Sequence, residues 1–259
     1  MTLPLNHAHA RLLERLCRRE PAVELAIIGA VALGHHLPLV RNTYDVDLAL
    51  VADRADLDAI LVPLGWSRDA RVEHRWHASD GFRADVLPAA PALVAAGAVS
   101  FERQRTMSLV GFDLVFRHAV ETELPGTATM VRVASLATLV VLKMVAWLER
   151  PQERQKDLGD LALVLTNALG DDDERRWDPD HPLRTNDLDF EDQSAFFVGM
   201  EVSAIARPTH LGQVRTFVER MLDEDRPHAA QMARTAGFGE GDERMRRLVR
   251  RFAEGLRGA

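Results

Sequence analysis

The spacing of apolar side chains divides the chain into a first half that contains both strands and helices and a second half that contains helices. A short apolar run at 25–28, ended by Gly29, predicts a buried strand, and the Val- and Leu-rich stretch 45–51 predicts another. Two β-like runs at 71–77 and 82–87 flank an Asp-Gly turn, which predicts a hairpin. The same pattern predicts further strands at 107–116 and 130–133, and helices at 7–19, 30–36, 55–64 and after Pro91.

Beyond Ser135 the apolar positions recur at helical spacing. Helices are predicted at 135–149, 155–169, 195–206, 211–222 and 242–256. The acidic stretch 170–192 has two prolines and little apolar periodicity, so we expect a surface loop there. We therefore predict an α/β (α+β) protein, with a mixed sheet and flanking helices in a first domain, 1–134, and an all-helical second domain, 135–259.

Composition limits the class of protein without naming its function. The 259 residues are 47% hydrophobic and 27% charged, as in an ordinary globular protein. A net charge of −7 excludes nucleic-acid binding that is driven by the overall charge of the protein. Cys17 is the only cysteine, no signal peptide is evident, and the longest apolar stretch, 136–148, is too short to span a bilayer. We expect a cytoplasmic protein without a membrane partner.

Asp45 and Asp47 carry the central chemical signal. Residues two apart on a strand point to the same face, so the two carboxylates are expected side by side, with Val46 and Leu48 facing the core. Two such charges repel, and a divalent cation removes that cost. Mg²⁺ prefers one or two carboxylates together with waters and phosphate oxygens, which this pair leaves room for, and Mn²⁺ would suit the same ligands.

Gly29 lies directly before a predicted helix, whose free N–H groups and dipole can hold a phosphate. A phosphate cradle followed by a strand with paired carboxylates favours phosphoryl or nucleotidyl transfer. Two alternatives stay open at this point. Asp45 could cap a turn while Asp47 is a solvated strand residue, or the Asp-x-Asp pair could hold a nucleotide-sugar through a metal in a glycosyltransferase.

The stretch from Gly29 to Asp47 resembles the first motif of the DNA polymerase β-like nucleotidyltransferases, and it is most similar to the AbiEii/AbiGii toxin-like branch. The resemblance rests on Gly29-Ala30 followed by a helix and on Arg41-x-Thr43-x-Asp45-Val-Asp47. It implies the nucleotidyltransferase fold, metal binding by the aspartates, and nucleotide binding by Gly29, Ala30, Arg41 and Thr43. The chain departs from the branch at Ala30, where the family usually has Ser or Gly.

A third carboxylate on a neighbouring strand usually completes such sites. The resemblance favours Asp85, in the strand after the hairpin, as a metal ligand or as the base for the attacking hydroxyl. Asp113 in the predicted strand 107–116 is the competing candidate. Either residue could also be an edge-strand carboxylate in solvent.

A second family signature starts at Lys143 and continues at Asp157 and Asp160. Lys143 and Lys156 are the only lysines beside 30 arginines, which favours a position where a compact ammonium is needed. The resemblance implies that Lys143 neutralises triphosphate oxygens and that Asp157 and Asp160 belong to the site. Helix-end stabilisation for Asp157 and a salt bridge for Asp160 are the alternatives. We expect the three residues to face the strand carboxylates across a cleft.

The resemblance implies an enzyme that moves a nucleoside monophosphate from an NTP to an acceptor hydroxyl. In the resembling branch the acceptor is often tRNA, and the protein is a toxin restrained by an antitoxin. A small-molecule acceptor of the antibiotic type is one alternative, and a nucleotide-binding or partner-binding module with impaired catalysis is another. An arginine cluster at 244–251 could grip RNA, although such a run is more often an exposed helix face with acidic neighbours.

Overall fold

The computed structural model describes residues 2–37, 45–101, 106–185, 188–239 and 241–258. The chain forms two compact units, Met1–Leu139 and Val140–Ala259. All the strands described lie in the first, and the described residues of the second form helices, turns and loops. This confirms the predicted class, a mixed α/β fold followed by a helical region.

A seven-stranded mixed sheet dominates the first unit, with strand order β3-β4-β5-β2-β1-β9-β8. β2 lies at its centre, antiparallel to β1 and parallel to β5, and β1 in turn is parallel to β9. A separate hairpin is formed by β6 and β7. The strands are β1 (Leu25–Ile28), β2 (Asp45–Leu50), β3 (Ser67–Arg68), β4 (Arg75–His77), β5 (Arg83–Pro88), β6 (Ala98–Ser100), β7 (Thr106–Ser108), β8 (Val120–Glu123) and β9 (Met130–Val133).

The two faces of the sheet differ in polarity because side chains alternate along each strand. Along β2 and β5, Val46, Leu48, Ala84 and Val86 are buried. On β4 the fully buried residue is Trp76. The residues between them point to the opposite face and are only half-buried, and they are the charged ones. At these positions of β2, β4 and β5 one face packs on the core, and the candidate site lies on the other.

Five helices complete the part of the first unit that the structure describes. They are α1 (His7–Cys17), α2 (Gly29–His36), α3 (Leu57–Leu61), α4 (Pro91–Ala96) and α5 (Phe112–Arg117). The predicted helix 55–64 is divided into α3 and two short 3₁₀ turns, Arg54–Asp56 and Val62–Leu64, and Pro63 in the second turn lacks the N–H that an α-helix would use. The predicted hairpin forms between β4 and β5 around the turn Ser79–Gly81.

The second unit is a bundle of helices. The boundary between the two units, after Leu139, falls within the first of these helices. They are α6 (Leu136–Glu149), α7 (Gln155–Asn167), α8 (Pro182–Thr185), α9 (Phe190–Ile205), α10 (Pro208–Leu222), α11 (His228–Thr235) and α12 (Asp242–Gly255). Glycines let α9 and α12 approach closely. A Cβ on Gly199 would lie 3.0 Å from the Cα of Gly255, so larger residues at this crossing would force the helices apart.

The predicted strand 107–116 is wrong over most of its length. Only β7, Thr106–Ser108, is extended, and Phe112–Arg117 forms α5. Phe112, Leu114 and Val115 are all buried, so this short apolar run covers the core as one helical turn and a half rather than as a strand. A run of that length has too few positions to distinguish the two periods.

The predicted loop at 170–192 is more ordered than its composition suggested. It contains a 3₁₀ turn, Glu174–Arg176, then α8, and α9 begins within it at Phe190. Strands β3, β6 and β8 and helix α11 were not predicted individually. These elements are short, and β8 is mostly exposed, so they lack a hydrophobic pattern. In the described part of the chain, no helix is long and apolar enough to cross a membrane.

Candidate active site

Three aspartates lie on the polar face at the centre of the sheet. Asp45 and Asp47 are alternate residues of β2, and both are half-buried while Val46 between them is buried. β5 runs parallel to β2 in a register that places Asp85 opposite Asp47 and Arg83 opposite Asp45. Neighbouring strands lie about 4.8 Å apart. The strand pairing therefore brings together the three carboxylates that the sequence indicated.

Two arginines that the sequence analysis missed pair with two of these carboxylates, Asp45 and Asp85. Arg75 on β4 donates from Nε to Asp85 at 2.8 Å and from a terminal nitrogen to the other Asp85 oxygen at 2.9 Å. The same terminal nitrogen reaches Asp45 at 3.4 Å, and Arg83 pairs with Asp45 through its Nε. Hydrogen bonding to Asp85 raises the pKa of Arg75 above its ordinary value, so its guanidinium stays charged. The i, i+2 spacing of Arg83 and Asp85, which places both side chains on one face of a strand, was the signal in the sequence that could have identified Arg83.

Gly29 lies immediately beside the carboxylate of Asp47. It is the first residue of α2, its φ is +66°, and it directly follows Ile28, which pairs with Asp47 in the sheet. An ideal Cβ on Gly29 would lie 2.6 Å from Cγ of Asp47, which leaves no room for a side chain. The glycine thus allows the carboxylate to approach the start of the helix, where the first backbone N–H groups have no partner within the helix itself and favour an anion.

The donor chemistry of this face suits a hard divalent cation. Mg²⁺ needs only one or two carboxylates when phosphate oxygens and waters fill its other positions, and Asp45 and Asp47 supply that number. Within the described ranges, no group of three or more His, Cys, Asp or Glu side chains is arranged to hold a metal ion. Both oxygens of Asp85 accept hydrogen bonds from Arg75. The metal roles of Asp45, Asp47 and Asp85 stay predictions.

The other residues of the first motif are placed only in part. Ala30 is the second residue of α2 and is half-buried, next to Gly29. Arg41 and Thr43 lie outside the described residues. Asp113, the alternative to Asp85, is in the first turn of α5 and pairs with Arg117 at 3.7 Å. It therefore does not share the strand face that carries Asp45, Asp47 and Asp85.

Lys143 forms a buried ionic triad with the two aspartates of the second signature. Its Nζ donates to Asp157 at 2.9 Å and to Asp160 at 2.6 Å. Burial lowers the pKa of Lys143, but the charges of Asp157 and Asp160 outweigh burial, and the pKa lies above its ordinary value. The ammonium is therefore charged and held by two carboxylates, one from the first turn of α7 and one from its next turn. The sequence analysis named all three residues but not their mutual pairing.

The arginines of α12 are engaged within the second unit. Arg244 and Arg247 pair with Glu191, and Arg247 and Arg251 pair with Asp192. The neighbouring arginines pair with acids of α12 itself, namely Arg246 with Asp242 and Arg250 with Glu243. The charge of this helix face is thus offset locally, as expected of a solvated face rather than of an RNA grip.

The fold and the polar face together define a class of protein. A mixed sheet that carries paired aspartates beside a glycine-initiated helix is the arrangement expected of a nucleotidyltransferase. Residues 11–254 match the family model described as "Nucleotidyl transferase AbiEii toxin, Type IV TA system". The match covers nearly the whole chain, so the protein belongs to the AbiEii nucleotidyltransferase toxin family. No curated protein and no solved structure matches the chain significantly.

Proposed function

We propose that the protein is a Mg²⁺-dependent enzyme that transfers a nucleoside monophosphate from an NTP to an acceptor hydroxyl and releases pyrophosphate. The observation that supports this most directly is the arrangement of Asp45, Asp47 and Asp85 on one face of adjoining strands. Family membership implies nucleotidyltransferase activity, and the metal and the NTP are the finer part of the proposal.

In the proposed reaction the acceptor oxygen attacks the α-phosphorus, and the bond from that phosphorus to the bridging oxygen breaks. The proton of the acceptor hydroxyl passes to Asp85 as general base. Asp45 and Asp47 would hold Mg²⁺, which when bound offsets charge on the phosphate oxygens. Backbone N–H groups at the start of α2, with Gly29 and Ala30, would hold phosphate, and Arg41 and Thr43 would contribute to nucleotide binding.

Arg75 and Arg83 take a positioning role in this proposal. Three clustered carboxylates need compensation beyond one divalent ion, and the two arginines provide it on the same face. The bidentate pair with Arg75 fixes the plane of the Asp85 carboxylate, which a lysine would not do. The base is therefore presented in one orientation.

For the second signature we propose a role in nucleotide binding. Lys143 would contact triphosphate oxygens, and Asp157 and Asp160 would hold its ammonium in place. The supporting observation is that the only buried lysine among the described residues is fixed by two carboxylates rather than directed freely into solvent. A buried ion pair of this kind is costly to build, which favours a function beyond stability.

The acceptor that we propose is tRNA, so that the enzyme acts as the toxin of a toxin–antitoxin pair in the cytoplasm. The family description supports a toxin of a type IV system and therefore an antitoxin as partner. A small-molecule acceptor is the alternative within the same chemistry. Because the local acids offset the arginines of α12, a tRNA acceptor would have to bind elsewhere on the protein.

Labelled NTPs test the proposal. The protein is incubated with each of the four α-labelled ribonucleoside triphosphates, Mg²⁺ and total tRNA, and both labelled tRNA and released pyrophosphate are measured. The proposal predicts Mg²⁺-dependent labelling and pyrophosphate release that Asp47→Asn abolishes. Pyrophosphate release with a small-molecule acceptor but no labelled tRNA would select the alternative acceptor. Nucleotide binding without any pyrophosphate release would indicate a module with impaired catalysis.

A further inference from the structure

The net charge of the protein resides in one short segment. Residues 170–192 contain ten carboxylates and three arginines, which gives a net charge of −7, the value for the whole chain. The rest of the chain carries 29 acidic and 29 basic residues and is therefore neutral overall. We call this segment the acidic segment. A charge so localised produces a field at one place on the surface instead of a uniform one.

A buried arginine fixes the backbone of the acidic segment. The side chain of Arg176 is buried and uses all three of its nitrogens as donors. Its partners lie at both ends of the segment and in α9, namely the carbonyls of Leu169, Gly170 and Phe190 and the side chains of Gln193 and Ser194. Residues next to Arg176 are thus held in place before any partner arrives, which lowers the entropic cost of binding.

The acidic segment presents two large aromatic side chains to solvent. Trp177 is 61% exposed and Phe190 is 47% exposed, and their ring centroids are 6.4 Å apart. The other three tryptophans of the chain are buried, at positions 66, 76 and 147. The guanidinium of Arg176 lies over the Phe190 ring at 4.0 Å and supports that ring from within. Exposed, rigid aromatic side chains are typical of the few residues that dominate binding energy at protein interfaces.

Carboxylates adjoin both aromatic residues in sequence, and those of the acidic segment divide into paired and exposed ones. Glu191 and Asp192 are paired with arginines of α12. Asp173 is paired with Arg175. The exposed carboxylates among the described residues of the segment are Asp171, Asp172, Glu174, Asp178, Asp180 and Asp189. Exposed aromatic rings and exposed carboxylates, which we call the acidic rim, thus occur in the same segment. An interface core and its polar border combine the same two features.

We propose that Trp177, Phe190 and the exposed carboxylates of the acidic segment form a docking surface for a basic segment of a partner protein. An apolar side chain of the partner packs on Trp177, while its Lys and Arg side chains meet the acidic rim. The charge selects the kind of partner. RNA and anionic lipid would be repelled, and two copies of this surface would repel each other across a symmetric interface. The proposal is independent of the transfer reaction proposed above.

Fluorescence anisotropy tests the proposal on the full chain with two labelled synthetic peptides. One contains lysine, arginine and leucine, and in the other serine replaces every leucine. Binding is compared for the wild type, Trp177→Ala and the double variant Asp171→Asn/Asp172→Asn. The matched control is Glu224→Gln/Asp225→Asn, which removes two exposed carboxylates from the loop between α10 and α11, outside the acidic segment. Circular dichroism verifies that each variant is folded.

The proposal predicts that the dissociation constant of the leucine peptide rises about tenfold or more in Trp177→Ala and in the Asp171/Asp172 variant. It predicts less than about a twofold change in the control variant, and weaker binding of the serine peptide. Equal weakening in the control variant, or no effect of Trp177→Ala, would show only non-specific attraction and overturn the proposal. Self-association in sedimentation that Trp177→Ala abolishes would also overturn it, because the occupant would then be a second copy.

Discussion

Asp47 occupies the space that a side chain on Gly29 would need. The glycine begins α2 with a φ of +66°, and a Cβ there would lie 2.6 Å from Cγ of Asp47 and 2.8 Å from its Cβ. The first motif is therefore a steric relationship as well as a chemical one. A carboxylate on β2 can lie against the start of a helix only if the first helical residue has no side chain.

Gly29→Ala is expected to lower stability by more than the cost of its backbone conformation alone. A non-glycine residue with positive φ costs about 1–2 kcal/mol, and the contact with Asp47 adds to it. Urea unfolding measures the loss. Gly65→Ala is the matched control, because Gly65 has a φ of +83° but nothing within 4 Å of its Cβ position. If Asp47→Gly, which also removes the Cβ at 2.8 Å, does not reduce the extra cost of Gly29→Ala, the steric account is wrong.

Arg75→Gln should destabilise the first unit by about 1–3 kcal/mol, since it removes charge-assisted hydrogen bonds to Asp85 and Asp45. Arg75→Lys should recover only part, because an ammonium lacks the planar fork. Arg132→Gln breaks an exposed pair with Glu24 in the same unit and should change stability by less than about 0.5 kcal/mol. Chemical denaturation checks all three, and equal stability of the Arg75→Lys protein and the wild type would argue against a bidentate role.

The two lysines provide a direct comparison between a buried and an exposed ammonium. Lys143→Met removes the ammonium that pairs with buried Asp160 and half-buried Asp157 and should cost about 3–5 kcal/mol. Lys156→Met should change stability by less than about 0.5 kcal/mol, because Lys156 is exposed.

Lys143→Arg should lower nucleotide affinity nearly as much as Lys143→Ala, since a guanidinium does not replace a compact ammonium in a fitted position. Full affinity in Lys143→Arg would make Lys143 a generic cation.

The thiol of Cys17 makes the stability of the protein depend on pH, and a single substitution can isolate this contribution. Burial, and after it the charge of Glu14, raises the pKa of its thiol from 9.0 to about 11. The folded protein thus keeps the proton to higher pH than the unfolded chain does. The resulting stability is fully present below pH 9.0 and is lost as the pH rises towards 11. Unfolding at both ends of this window should show a smaller pH effect in Cys17→Ala, and an identical slope in the variant would exclude Cys17 as its source.

The sequence predicted the strands that carry the site better than it predicted which side chains pair with one another within it. The strands 25–28 and 130–133 agree with β1 and β9, and the hairpin and the face shared by Asp45 and Asp47 follow from local periodicity. Arg75 was missed because its role depends on the pairing of β4 with β5 and of β5 with β2, which is non-local. The strand predicted at 107–116 failed because the burial of Phe112 in a helix is a tertiary effect. The order within the acidic segment likewise depends on the buried Arg176.

Isothermal titration calorimetry tests the central claim, that Asp45 and Asp47 bind a nucleotide through Mg²⁺. Each ribonucleoside triphosphate is titrated into the wild type, Asp47→Asn and Asp113→Asn, with and without Mg²⁺, after thermal unfolding has verified each fold. We predict Mg²⁺-dependent binding of at least one triphosphate to the wild type and to Asp113→Asn, whose carboxylate lies on α5. Asp47→Asn should show no Mg²⁺-dependent binding. The same affinity in Asp47→Asn and the wild type would contradict the account.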